Sequence, residues 1–430
     1  MALVTQAYRF ALDPTPRQRR ALASHCGAAR VAYNWGLRLV KLRLEQRRLD
    51  STVEVPWTLP TLRREWNRAK QEVAPWWAEN SKEAYSSGLD GLARALKGFS
   101  DSKAGRRKGR PVGFPHTKRK GRCRDACRFT TGQIKVLADR RHVQLPRIGV
   151  LKTHESTRKL ARRLEKDTAR ILAATISRTA DRWFVSFTVE VQRAIPTRTG
   201  KPTVIGVDVG VRHLATLSTG ATIANPRALQ RSLRKLRRLN REVARRKPKS
   251  RRRKQTRRRL ARVYAHAANL RRDALHKLTT TLATDHGIVV VEQLNLTGML
   301  RNRHLARVLS DSGLAELRRQ LTYKTAWYGS QLILADRFYP SSKTCSACGW
   351  VKAKLTLAER TFSCKSCGLV LDRDLNAARN LAKLAEHVAQ SGWETKNARG
   401  ADVRPGLAGL TVSKREAGAE SRVGPAPVGT

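Results

Sequence analysis

Tyr8, Phe10 and Leu12 alternate with Arg9 and Ala11, the period of a half-buried strand. A helix is announced at once: Thr15 can cap it, Pro16 suits its first position, and Gln18 completes a capping box. From there to about residue 100 the apolar positions Leu22, Tyr33, Leu37, Val40 and Leu44 are spaced for one helical face. Pro56, Pro60 and Pro75 divide that stretch into three or four helices, with Trp57, Trp66, Trp76 and Trp77 as large core side chains. Gly and Pro punctuate the cations of residues 103–122, which read as a basic loop. Alternating segments at 129–131, 142–145, 171–176 and 183–189 predict antiparallel strands of a small β-rich domain completed by the N-terminal strand.

The pattern changes at residue 203. A continuous apolar run ends in Asp208, a turn follows at Gly210, and a second strand is expected at 214–217. A long helical region covers about 227–285, and residues 287–292 form another buried strand with an acid, Glu292, at its end. A helix at about 312–330, a strand near 331–334, a cysteine insert and a closing helix at about 374–386 complete the series. Strands buried on both faces and interleaved with helices mean an α/β layer architecture. The last 40 residues hold seven Gly and three Pro without periodicity, and disorder is expected there.

Charge narrows the function. Among 430 residues, 88 Lys and Arg face 33 Asp and Glu, so the net charge is 88 − 33 = +55. A field of that size suits a polyanion, most commonly nucleic acid. A 40% hydrophobic content is enough for real cores, which excludes a wholly disordered basic tail. At about 150 residues per domain the length suggests two to four packing units. The start carries no basic leader or apolar signal core, and no apolar run approaches the roughly 20 residues a bilayer needs. No membrane partner is expected, and a cytoplasmic, nucleoid-associated bacterial protein is. Seven cysteines without a signal segment argue against a disulfide framework.

Two kinds of site stand out. Cys345 and Cys348, then Cys364 and Cys367, are two CxxC pairs with fifteen residues between them, a structural zinc spacing. Gly349 and Gly368 fall where each knuckle turn needs a positive φ. Four thiolates leave no position for water, so the Zn²⁺ is structural. Cys123, Cys127 and Cys26 lack such a partner set and read as free thiols. The second site is acidic. Asp208 and Glu292 end buried strands, where an unpaired charge is costly, and Asp374 sits where a strand hands over to the closing helix. Three converging carboxylates make a hard-oxygen site for two Mg²⁺ or Mn²⁺ ions acting on a phosphodiester. Asp372 reads as the cap of that helix, and Asp311 and Glu316 as capping and surface charge.

These motifs resemble the TnpB (OrfB) family of insertion-sequence proteins and the miniature type V CRISPR effectors related to them. The resemblance is carried by residues 8–18 and 29–35, by the segments around Asp208 and Glu292, by the Tyr339-Pro-Ser-Ser-Lys-Thr-Cys345 run, and by the segment around Asp374. It implies an RNase H-like (RuvC) α/β nuclease domain with an inserted zinc ribbon, a helical recognition domain and a small β-barrel wedge domain. The implied boundaries are a wedge strand at 1–14, the recognition domain at 15–102, the wedge barrel at 103–200 and the nuclease domain at 201–340. The ribbon follows at 341–371, the closing helix at 372–388 and a disordered tail at 389–430. The resemblance also implies catalytic, metal-binding roles for Asp208, Glu292 and Asp374, a guide RNA encoded beside the gene, and cleavage of double-stranded DNA next to a short flanking motif. A guide-dependent DNA-binding regulator without cleavage and an unguided, structure-selective nuclease are the alternatives.

Residues 227–272 hold 21 Lys or Arg and one acid, Glu242, so a polyanion is expected along them. Arg251, Arg252, Arg253, Lys254, Arg257, Arg258 and Arg259 form their densest part. In the basic loop Arg106, Arg107, Lys108, Arg110, Lys118, Arg119 and Lys120 are expected on guide RNA. Such contacts give affinity and salt dependence, while base pairing with the guide supplies sequence choice. Ser81, Lys82 and Tyr85, on the helix after Pro75, are candidates for reading the flanking motif.

Overall fold

The computed structural model describes residues 2–107, 109–200, 202–356 and 358–391. The chain divides into two units, Met1–Glu386 and His387–Thr430. The architecture below belongs to the first, and of the second the described part is the end of the last helix. The tail expected to be disordered lies, from residue 392, outside the described residues, as does Lys108.

The first half runs β1 (Ala2–Asp13), α1 (Pro16–Leu49), α2 (Leu59–Val73), a 3₁₀ turn (Pro75–Glu79) and α3 (Lys82–Lys103). It continues with β2 (Ala126–Phe129), β3 (Lys135–Val136), β4 (His142–Leu145), β5 (Gly149–Thr153), α4 (Arg158–Glu165), β6 (Ala169–Thr179) and β7 (Arg182–Arg193). Thr15 and Gln18 close the capping box that starts α1. The strands form one antiparallel sheet in the order β2-β6-β7-β1-β5-β4-β3. β1 is longer than its alternation suggests because it pairs with β7 from Ala2↔Arg193 to Leu12↔Trp183. Among the described residues β2 and β3 are not paired, so hydrogen bonds do not close the implied barrel. Both strands are short, four and two residues. The strand expected at 129–131 ends at Phe129, because Thr130 turns away to donate to Glu83 from its amide at 2.9 Å and its hydroxyl at 2.5 Å. Helices and sheet share one core that includes Leu22, Tyr33, Trp66, Tyr85, Phe129 and Phe187.

The second half contains β8 (Val204–Asp208), β9 (His213–Leu217), β10 (Thr222–Ala224), α5 (Ala228–Arg245), α6 (Arg251–Asp285) and β11 (Ile288–Glu292). It ends with α7 (Leu296–Met299), α8 (Arg303–Ser312), α9 (Leu314–Tyr328), β12 (Gln331–Ala335), the hairpin β13 (Thr361–Ser363) and β14 (Val370–Asp372), and α10 (Arg373–Ser391). Five strands lie in the order β10-β9-β8-β11-β12, with β8, β11 and β12 parallel. Alternate residues of β11 face opposite layers. Val289 and Val291 pack with Leu275, Leu278 and Leu321, whereas Ile288 and Val290 pack with Leu381 and Ala385 of α10. That two-sided burial is why the strand reads as an unbroken apolar run. The long helical region is a pair of helices, α5 and α6, broken around Pro248 by Lys249 with φ 67°. Among the described residues no helix is long and apolar enough to cross a membrane.

Candidate active site and nucleic-acid interface

The sheet register brings two of the three acids together. Val207 pairs with Val291 on neighbouring parallel strands, so Asp208 and Glu292 stand next to each other at the strands' carboxyl ends. This is the crevice where open α/β sheets place their ligands. Asp374 lies in the first turn of α10. That helix crosses β8 so closely that a Cβ on Gly206 would sit 1.9 Å from the carbonyl oxygen of Ala378.

The electrostatics record the convergence. Burial first, then Glu292 and Asp374, push the Asp208 carboxyl up to about 8, with Arg373 opposing. The Arg373 guanidinium lies 3.2 Å from Asp374 Oδ1. Glu292 Oε1 accepts the Ser341 hydroxyl. Asp372 caps α10, accepting from the amides of Asp374 at 2.9 Å and Leu375 at 3.1 Å, as its sequence position implies. Asp311 differs from its sequence reading. It is 4% exposed and caps α5 rather than its own helix, accepting from Leu229 at 3.0 Å and Gln230 at 3.1 Å, with Arg271 at 3.3 Å. Arg227, which precedes α5, sits at φ 44° and offers no side-chain cap, so a buried acid from elsewhere takes that role. Glu316 pairs with Arg319 at 2.7 Å on the surface, as expected.

Cys345, Cys348, Cys364 and Cys367 place their sulfurs within 4.8 Å of one another, the one such cluster of metal-binding side chains among the described residues. Cys345–Cys367 and Cys348–Cys364 are each 3.6 Å apart. A tetrahedral zinc with bonds of about 2.3 Å needs edges of about 3.8 Å, so the cluster fits that ion. Gly349 (φ 80°) and Gly368 (φ 72°) take the positive φ that lets each knuckle turn back. The Trp350 amide bonds to Cys348 and pulls its thiol down to about 6. Cys367 receives the Leu369 amide, yet its neighbouring sulfurs carry it up to about 12, a crowding that a cation relieves.

The knuckle is tied to α10. Asn376 accepts from the Ser346 amide at 2.9 Å and donates to the Thr344 carbonyl at 2.7 Å. Asn380 donates to the carbonyls of Ser341 at 2.7 Å and Thr344 at 2.6 Å, and Lys383 to that of Ser346 at 2.5 Å. Sequence reading missed these residues. Their signal was two asparagines at i and i+4 on the face that buries Ala377, Leu381 and Ala385.

The expected nucleic-acid contacts fall into distinct settings. Arg251, Arg252, Lys254, Arg257, Arg258 and Arg259 are exposed on α6. Arg253 is partly withdrawn, donating to the Arg246 carbonyl at 3.2 Å, while Arg246 pairs with Glu242. Arg107, Arg110, Arg119 and Lys120 are exposed, and Arg106 meets Asp101 at 3.1 Å. Lys118 is committed differently: its ammonium lies 3.8 Å from the Tyr33 ring centre and its backbone bonds Asn34. Of the flank-reading candidates, only Lys82 is exposed. Ser81 caps α3 and donates its amide to His25 at 3.1 Å, and Tyr85 stacks on Trp66 with 1% exposure. Both are internal supports, which corrects their assignment as contacts. A groove between the first sheet and α6, lined by Arg9, Arg124, Arg178, Arg182, Arg262 and Arg272, was not legible because its cations are scattered along the chain.

Comparison with known proteins adds to this geometry. The family model OrfB_IS605, described as a probable transposase, matches residues 186–303, its helix-turn-helix companion residues 1–48, and the TNB domain of Cas12f1-like proteins residues 315–381. A Mycobacterium tuberculosis protein named "Putative RNA-guided DNA endonuclease" is 40% identical over 99% of this chain and 92% of its own length. Proteins bearing the same description from Streptomyces pristinaespiralis (36% identical, 89% of both chains) and Escherichia coli (27% identical, 92% of this chain and 96% of that one) also match.

Proposed function

The chain belongs to the TnpB (OrfB) family, and from that membership we propose an RNA-guided DNA endonuclease with a RuvC-like, metal-dependent centre at Asp208, Glu292 and Asp374. The observation that carries the centre is geometric: the register sets Asp208 and Glu292 at the ends of neighbouring parallel strands, and Asp374 opens the helix that packs on β8, where burial and the other two acids raise the Asp208 carboxyl. Such a set of hard oxygens fits Mg²⁺ or Mn²⁺. Bound there, the ions would activate water and stabilise the leaving oxygen of a phosphodiester.

The chain's own residues supply the rest. Asp208 is central because both other acids act on it; Glu292 is oriented by Ser341, and Asp374 is held beside Arg373. The strand order, 3-2-1-4-5 in chain sequence, supports an RNase H-like nuclease layer. The exposed arginines of α6 and of the groove facing it suit the phosphates of guide RNA and target duplex, and base pairing would carry sequence choice. The four-cysteine ribbon suits a structural Zn²⁺.

Sequencing the RNA that copurifies, then incubating the complex with matched plasmid and Mg²⁺, tests the reading. A single dominant transcript and cutting at the matched site are expected, with Asp208→Ala abolishing cutting while RNA remains bound. Preserved cutting by that variant overturns the assignment of the centre. Cutting of branched DNA without RNA overturns guidance.

A further inference from the structure

Ser341 touches the proposed centre from outside it. The residue is 2% exposed and lies just ahead of the first zinc knuckle, yet its hydroxyl donates to Glu292 Oε1 at the end of β11. A hydrogen bond to one oxygen restricts the carboxylate's rotation and orients it as a candidate cation ligand. The Ser341 carbonyl is itself gripped by Asn380, which is 3% exposed, and Asn380 shares the Thr344 carbonyl with Asn376, which is fully buried. Thr344 precedes the zinc-binding Cys345. Asn376 and Asn380 lie two and six residues beyond Asp374 on the same helix. A continuous path of hydrogen bonds therefore runs from Glu292 through Ser341 and the knuckle backbone to the helix that carries Asp374.

The geometry points to Ser341 as a positioning residue for the nuclease reaction, with Asn380 as the brace that makes the set of the Glu292 and Asp374 carboxylates depend on the folded zinc knuckle. The inference rests on the reading of Glu292 as a catalytic acid. Apolar packing alone does not supply this restraint, because a strand end and a helix start are free to shear slightly over an apolar layer, whereas directed hydrogen bonds fix the angle of a carboxylate. Removing such an outer partner of a metal-binding side chain typically costs about 10- to 100-fold in metal affinity or activity.

The test uses the RNA-bound protein with Ser341→Ala, Ser341→Thr, Asn380→Leu and Glu292→Gln. Mn²⁺ binding is followed by electron paramagnetic resonance without DNA, cleavage rate against Mg²⁺ concentration with DNA, and zinc content by elemental analysis. Ser341→Ala is expected to weaken Mn²⁺ binding and lower the maximal cleavage rate by about 10- to 100-fold, with one zinc retained and target binding unchanged. Ser341→Thr, which keeps the hydroxyl, restores most of both. Asn380→Leu is expected to weaken Mn²⁺ binding and loosen zinc together. If Glu292→Gln is inactive while Ser341→Ala binds Mn²⁺ and cuts like the native chain, the positioning role is overturned and the catalytic reading stands. If Glu292→Gln still cuts, the catalytic reading fails first. Should Asn380→Leu not fold, the contrast between alanine and threonine at 341 decides.

Discussion

Gly206 of β8 and the carbonyl of Ala378 on α10 are so close that a methyl group at 206 would fall 1.9 Å from that oxygen. The contact is backbone against backbone, so no side-chain rotation relieves it. It sets how near α10 comes to the sheet, and with it how near Asp374 comes to Asp208, two residues past the glycine. Gly206→Ala is expected to cost about 3 kcal/mol through overpacking and to abolish cutting even where the fold survives. Thermal melting and plasmid cleavage check this; a variant that melts and cuts like the native protein shows that the helix does not depend on the contact.

Asp208 predicts a pH dependence in Mg²⁺-free buffer without chelator, which leaves zinc in place. Its carboxyl titrates near about 3.9 in an unfolded chain and at about 8 in the folded one. Between those values the folded state binds the proton more tightly, so stability falls as pH rises from about 4 to about 8, then levels. Asp208→Asn removes this loss. Its melting temperature is expected to exceed the native value most at pH 8 and above and little at pH 4.5, and added Mg²⁺ narrows the gap. An equal gap at both pH values argues that Asp208 is not held in a shared acidic field.

The sequence made the layers and ligands readable where local chemistry repeats. The capping box at Thr15 and Gln18, the unbroken apolar run of β11 and the paired CxxC turns each carry their own physics within a few residues. What stayed hidden depends on register or on distant partners. Asp311 looks like an ordinary helix-end acid until α5 docks its bare N-terminus on it, and Tyr85 looks like an accessible aromatic until Trp66 covers it. The barrel implied by family likeness depends on a pairing between β2 and β3, which stand at opposite ends of the sheet order, and no local pattern in either segment reports on that pairing.

Asp311 is buried with Arg271 beside it and two helix amides on its oxygens. Truncation strands a guanidinium and uncaps α5 together. Asp311→Ala is expected to lower stability by about 3 kcal/mol or more, whereas Asp273→Ala, which removes an exposed pair with Lys277 on α6, should cost well under about 1 kcal/mol. Urea denaturation of the two variants side by side checks the contrast, and equal losses refute the buried-cap reading.

The cysteine cluster predicts one zinc per chain. Cys348→Ser is expected to lose it and to lower the melting temperature, because the β13–β14 hairpin and both knuckles have little other core than Phe362, Trp350 and Leu369. Unchanged melting after complete zinc loss contradicts a structural role for the ion.

The cations of α6 predict how binding responds to salt. Arg251, Lys254 and Arg258 recur at i, i+3 and i+7 on one exposed face, opposite the buried Thr256 that helps pin the hairpin to Glu242. If that face lies on phosphates, each contact releases counterions and adds about 0.7–0.9 to the slope of log affinity against log salt. Replacing all three by Gln is expected to weaken RNA binding at every sequence alike and to reduce the slope by roughly 2–3. Arg246, already committed to Glu242 and the hairpin backbone, serves as the internal comparison: its loss should loosen the α5–α6 turn and leave the slope nearly as it was. Filter-binding titrations across a range of KCl concentrations separate the two. A triple variant with a native slope assigns the stripe to solvent and moves the polyanion to the arginine groove facing α6.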